Sequence, residues 1–153
     1  MKRMLSFLWL AGLIILSTVL FAQDNKNVTA SQYGMLIVTI NGFEHTDGQA
    51  RVYLFRSKDG FPSKPDKALV YRKEQIPGPE LQIRFVNLPY GDYAVAVHHD
   101  ENGNDKLDAN WMHIPKEPTG ATNGARGRFG PPKFDKAKFA LDADTVQVTV
   151  TLK

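Results

Sequence analysis

Cysteine is absent from the whole chain, which excludes a disulfide framework, a thiolate metal site and a lipidated N-terminal cysteine. Helical periodicity is missing as well. No window of helical length carries an apolar stripe, and PKFDKAKFAL, residues 132 to 141, has room for one or two turns at most. There is no HExxH, no phosphate-binding glycine loop and no GxSxG. Beyond residue 22 the serines are Ser31, Ser57 and Ser63, and none stands beside a histidine. These gaps argue against zinc-peptidase, nucleotide-binding and α/β-hydrolase chemistry. A carboxylate pair of the glycosidase kind stays open, because its separation is spatial rather than sequential.

Long apolar runs are also scarce, and the one that exists sits at the start. Lys2 and Arg3 precede an apolar run from Leu5 to Leu16, and Leu20-Phe21-Ala22 leads into Gln23-Asp24-Asn25. That layout predicts a secretory signal peptide over 1–22, a flexible segment over 23–33 and one domain over 34–153. The expected location is the periplasm or the medium, with no membrane span after cleavage. Removing Lys2 and Arg3 leaves 17 basic residues against 16 acidic ones. No Lys/Arg stripe marks a nucleic-acid footprint.

What the chain has in quantity is strand-like alternation. Leu36, Val38 and Ile40 alternate up to Asn41-Gly42; Ala50, Val52 and Leu54 alternate up to the turn 57–60. Residues 68 to 72 suggest a short strand. Leu81, Ile83 and Phe85 share a face, as do Tyr93, Val95 and Val97 after the tight turn at 88–92. Val146, Val148, Val150 and Leu152 give the cleanest pattern of all. Six to seven strands predict an all-β fold, an antiparallel Greek-key β-sandwich. Residues 109 to 134, with four prolines and four glycines, break the pattern and predict a long irregular lid loop. Trp111, Ile114, Phe129 and Phe134 are its expected anchors.

HHDENGNDKLDANW, residues 98 to 111, concentrates the polar chemistry. Asp100, Asn102, Asn104 and Asp108 carry side-chain oxygens at loop positions 1, 3, 5 and 9, with the Lys106 carbonyl at position 7. This is the ligand rhythm of an EF-hand calcium loop, and Leu107 sits where such loops place an apolar anchor. Calcium suits the set because it takes six to eight oxygens with loose geometry. Position 6 holds Asp105 rather than glycine, and position 12 holds Trp111 rather than glutamate, so Glu117 is the expected remote ligand. A solvated Asn/Asp turn is the alternative. His98 and His99 point to opposite faces if the strand continues, so they do not chelate one ion together. Either has His45 or His113 as a conceivable partner around zinc or copper.

LPYGDYAVAVHHDENGNDKLDANW, then IPKE, then FGPPKFDKAKF, resembles the bacterial exported proteins grouped as domain of unknown function 2141. The family's loop motif falls on His99, Asp100, Asn102, Asn104, Leu107 and Asp108. Its second segment falls on Ile114, Pro115, Lys116, Glu117 and Asn123, and its third on Gly130, Pro131, Pro132, Phe134, Ala137 and Phe139. Departures stand at Asp105, His113, Pro118 and Ala121. The strand and its DENGN turn are also similar to transthyretin-like and carboxypeptidase-regulatory-like sandwiches, which implies the same fold. The family transfers no activity.

The expected function is therefore an exported, non-enzymatic binding or accessory domain of the cell envelope, with calcium at 100–108 and an envelope or extracellular ligand. Two rival readings differ in where the histidines fall. A hydrolase or metal-dependent enzyme would use His99, Asp100 and Glu117 beneath the lid, and a periplasmic zinc or copper carrier would bring two imidazoles to one ion.

Overall fold

The computed structural model describes residues 32–112, 114–128 and 130–153. The expected signal peptide, most of the expected flexible segment, His113 and Phe129 lie outside the described residues. The remainder is an all-β sandwich of eight strands in two sheets. The strands are β1 (Tyr33–Asn41), β2 (Gln49–Phe55), β3 (Val70–Glu74), β4 (Glu80–Pro89), β5 (Gly91–Asp100), β6 (Thr119–Ala121), β7 (Phe139–Leu141) and β8 (Thr145–Thr151). One helical turn, α1 (Phe134–Ala137), falls inside the segment expected to hold one.

One sheet runs β4-β1-β8 and the other β3-β2-β5-β6, with β7 pairing the start of β5. The antiparallel expectation needs one correction. β1 and β8 pair in parallel, Leu36 with Val146 and Ile40 with Val150. A parallel pair requires a long crossover, and here nearly the whole domain separates the two strands. The extra strands come from β6 and β7, three residues each, too short for alternation to be read.

The sandwich core is made by the alternation already noted. Leu36, Val38, Ile40, Val52, Leu54, Val95 and Val150 are fully buried between the sheets. Each such side chain contributes about 1.5–3 kcal/mol relative to exposure. Between β4 and β5 the chain changes sheets in a single residue, Tyr90. The buried Tyr93 hydroxyl donates to the Pro89 carbonyl at 2.6 Å and locks that corner.

The second sheet is covered on its outer face too. Tyr53 and Phe55 of β2 and Ala94 and Ala96 of β5 pack beneath Ala121, Phe134 and Ala137. β5 is consequently buried on both faces from Tyr93 to Asp100. Of the anchors expected for residues 109–134, Phe134 is buried, whereas Trp111 is 86% exposed and Ile114 is exposed. The lid also contains more order than expected. It holds β6, a 3-10 turn at Thr122–Gly124 and a bridge between Ala109 and Pro115.

Candidate functional site

The register of β2 against β5 sets out the site. On the outer face, Phe55 opposes Ala94 and Tyr53 opposes Ala96, then Arg51 opposes His98 and Gln49 opposes Asp100. The same face therefore turns from apolar to polar within two residues. Gly48 precedes β2 with φ 74°, and a Cβ there would lie 2.0 Å from the Asp100 carbonyl oxygen. Only glycine permits the two chains to pass so closely at this end.

Asp100 is fully buried and organises the loop that follows it. Its Oδ1 accepts the Asn104 N–H at 3.1 Å and its Oδ2 the Asp105 N–H at 2.9 Å. Asn102 Oδ1 accepts the Asn104 N–H, and Asn104 Oδ1 accepts the Lys106 N–H at 2.7 Å. The amide groups of Asn102 and Asn104 both donate to the Asp108 carboxylate, at 2.7 Å and 3.2 Å. The side chains at positions 3, 5 and 9 thus meet one another, while that of position 1 holds the backbone of the turn. Asp105, at position 6, has φ 65°. It makes the sharp turn for which glycine is usual, since Asp tolerates left-handed backbone better than most residues.

Glu117, expected from the sequence as a remote ligand, reaches this loop from the lid and bonds to its backbone. Its Oε1 accepts the Glu101 N–H at 3.0 Å and its Oε2 the Asp108 N–H at 2.9 Å, clasping both ends of the loop. The pairing partner of Glu117 is His98, whose Nε2 lies 3.2 Å from Oε2. That approach is off the axis of a hydrogen bond, so the buried Nε2 has no hydrogen-bond partner. Burial pushes the His98 pKa below the usual imidazole value, against the opposing pull of the Glu117 carboxylate.

Here the sequence-based enzyme constellation needs correcting. His99 belongs to the inner face of β5, where its Nε2 donates to the Asp47 carbonyl at 2.7 Å and its ring meets Phe43 edge-to-face. Strand alternation separates it from Glu117, so His99, Asp100 and Glu117 do not share a pocket. Two hollows among the described residues are a shallow one of about 460 Å³ beside Tyr33 and Asn87 and one of about 210 Å³ beside Phe43 and His45. Neither is lined by Glu117. The His45 ring does reach His99, with centroids 5.0 Å apart, and His45 Nε2 faces Glu101 Oε1 at 3.1 Å.

Arg51 completes the polar end, and nothing in the sequence pointed to it. Buried on β2, it donates from Nε to the Tyr71 hydroxyl at 2.9 Å and stands 3.7 Å from both Asp100 and Asp105. Lys73 holds the Asp105 carboxyl below the usual carboxylate range through a direct hydrogen bond. Finding Arg51 requires the β2/β5 register, which alternation alone does not set. Among the described residues, the metal-ligating side chains whose ligand atoms converge are His98, Asp100 and Glu117, all buried and within 4.8 Å of one another.

A family model described as "Uncharacterized protein conserved in bacteria (DUF2141)" matches residues 38–149, from within β1 to within β8. Comparison with curated proteins and with solved structures gives no match.

Proposed function

We propose, for a chain that belongs to this bacterial family of uncharacterized proteins, the role of an exported, non-enzymatic binding or accessory domain of the cell envelope, its loop 100–108 holding calcium. Export rests on the charged start and apolar run that precede Gln23. Among the described residues no helix is long and apolar enough to cross a membrane. The observation that supports the calcium reading is the left-handed turn at Asp105, φ 65°, in a loop where Asn102, Asn104 and Asp108 side chains meet on the rim and Asp100 caps the Asn104 and Asp105 N–H groups beneath. Rotating the Asn102 and Asn104 amides away from Asp108 would offer the ion their oxygens, with the Lys106 carbonyl and Glu117 completing the shell. The exposed rim gives the ion access, and the buried Asp100 and Glu117 supply charge.

Extracellular calcium modules bind with dissociation constants of about 0.1–1 mM. At about 10 mM calcium, mass action then adds about 1.4–2.7 kcal/mol to the stability. For a domain of this size the melting temperature rises by roughly 5–10 °C. Magnesium raises it far less, because it demands octahedral geometry and gives up water reluctantly. Asp108→Ala removes two amide contacts on the exposed rim and abolishes the calcium-dependent rise while leaving the fold intact. Equal shifts with calcium and magnesium, or none with either, would reduce the loop to a polar turn.

A further inference from the structure

His98 has no place in an all-oxygen calcium shell, yet its buried ring nitrogen meets the Glu117 carboxylate at 3.2 Å without the geometry of a hydrogen bond. Its side chain is 8% exposed, its Nε2 is buried without a hydrogen bond, and it faces the carboxylates of Asp100 and Glu117. A native fold seldom leaves a ring nitrogen buried in that condition. We propose that His98 Nε2, Asp100 and Glu117 form a second cation site, at the buried end of the loop, for a transition-type divalent ion of which zinc is the representative.

The geometry suits such an ion. His98 Nε2 and Glu117 Oε2 are 3.2 Å apart. Two ligands on a tetrahedral zinc with bonds of about 2.0–2.1 Å stand about 3.3 Å apart. The third ligand atom, from Asp100, lies within 4.8 Å of the other two, so a small inward shift closes the triangle. Both carboxylates are fixed by backbone N–H groups, the kind of outer support that orients metal ligands. Each of their oxygens keeps a further lone pair for an ion. One imidazole with two carboxylates suits zinc, manganese or iron, and it lacks the thiolate or thioether that selects copper(I). Three protein ligands leave a fourth position for water. Arg51 is buried 3.7 Å from Asp100 and opposes a cation there, and Asp105, equally close, offsets part of its charge.

The site does not rest on calcium binding. Asn102, Asn104 and Asp108 serve only the loop, His98 serves only the buried site, and Asp100 and Glu117 are common to both, so the two ions compete. The test uses the purified, tag-free protein titrated with ZnCl2, and separately with CoCl2 to read the visible ligand-field band. Wild type should bind one zinc, and His98→Gln, which preserves volume, should weaken it roughly 100-fold and abolish the cobalt band. The calcium-dependent melting shift should survive His98→Gln, and zinc binding should survive Asp108→Ala. Circular dichroism of each variant confirms that it is folded. Undiminished zinc affinity in His98→Gln, or its loss in His45→Ala instead, would overturn the proposal, as would a wild type that binds no zinc.

Discussion

Two stretches of the chain lie over the outer face of β5 and are held there by different forces. Residues 121–138 cover Ala94 and Ala96 with Ala121, Phe134 and Ala137, and Phe134 meets Phe61 edge-on with ring centroids 5.8 Å apart. Residues 100–117 extend from the polar end of that face and are held by hydrogen bonds, four of them backbone N–H groups donating to the carboxylates of Asp100 and Glu117. The first stretch is stabilised by apolar burial, which has no need of an ion. The second concentrates Asp100 and Glu117 in a buried place with Arg51 as the close guanidinium. The contrast teaches where a ligand can act: charge that the fold has gathered but only partly neutralised is the part that an ion can stabilise.

The largest test of that contrast is Phe134→Ala. Truncating a buried phenylalanine costs about 3–5 kcal/mol, and urea denaturation should give the same loss with and without calcium. A loss that shrinks when calcium is added would mean the two stretches are not energetically separate. Glu117→Gln comes next. It replaces the oxygen that clasps the Asp108 N–H, or the one that clasps Glu101, by an amide donor. The expected cost is about 2 kcal/mol, together with loss of the calcium-dependent melting shift. Retention of the full shift would remove Glu117 from the calcium shell.

A smaller effect concerns pH. Burial depresses the His98 pKa, so below the ordinary imidazole value near 6.5 the unfolded chain binds a proton that the folded one resists. Stability should therefore be complete above that value and fall as the pH drops below about 6.5. His98→Gln should flatten that fall in urea midpoints measured at several pH values; an unchanged slope would assign it to other groups. The smallest effect is expected at Trp111, which is 86% exposed. Trp111→Ser should change stability by less than about 0.5 kcal/mol, and a loss several times larger would show that the lid tip packs after all.

Much of the sandwich was legible because its strands bury one face each, and Leu36-Val38-Ile40 or Val146-Val148-Val150 state that face directly. The parallel pairing of β1 with β8 was not, since alternation carries no direction. The calcium-type rhythm of Asp100, Asn102, Asn104 and Asp108 was readable for the same reason of spacing, whereas Asp105 read as a departure from glycine and yet makes the left-handed turn. The partner of Glu117 was misread. Alternation put His98 and Asp100 on one face, yet the enzyme reading chose His99, which the core claims through Asp47 and Phe43. Trp111 and Ile114 were misread because hydrophobicity alone does not say that a side chain is covered. Arg51 needed cross-strand register and was out of reach.

Hydrogen exchange read by mass spectrometry tests the central claim most directly, because the Glu101, Asn104, Asp105 and Asp108 amides are all held by Asp100 or Glu117. Peptides covering residues 100–118 should exchange more slowly in about 10 mM calcium than in the same magnesium. Peptides covering residues 134–141 should be unaffected by the choice of ion. Equal exchange in both ions across residues 100–118 would contradict the account.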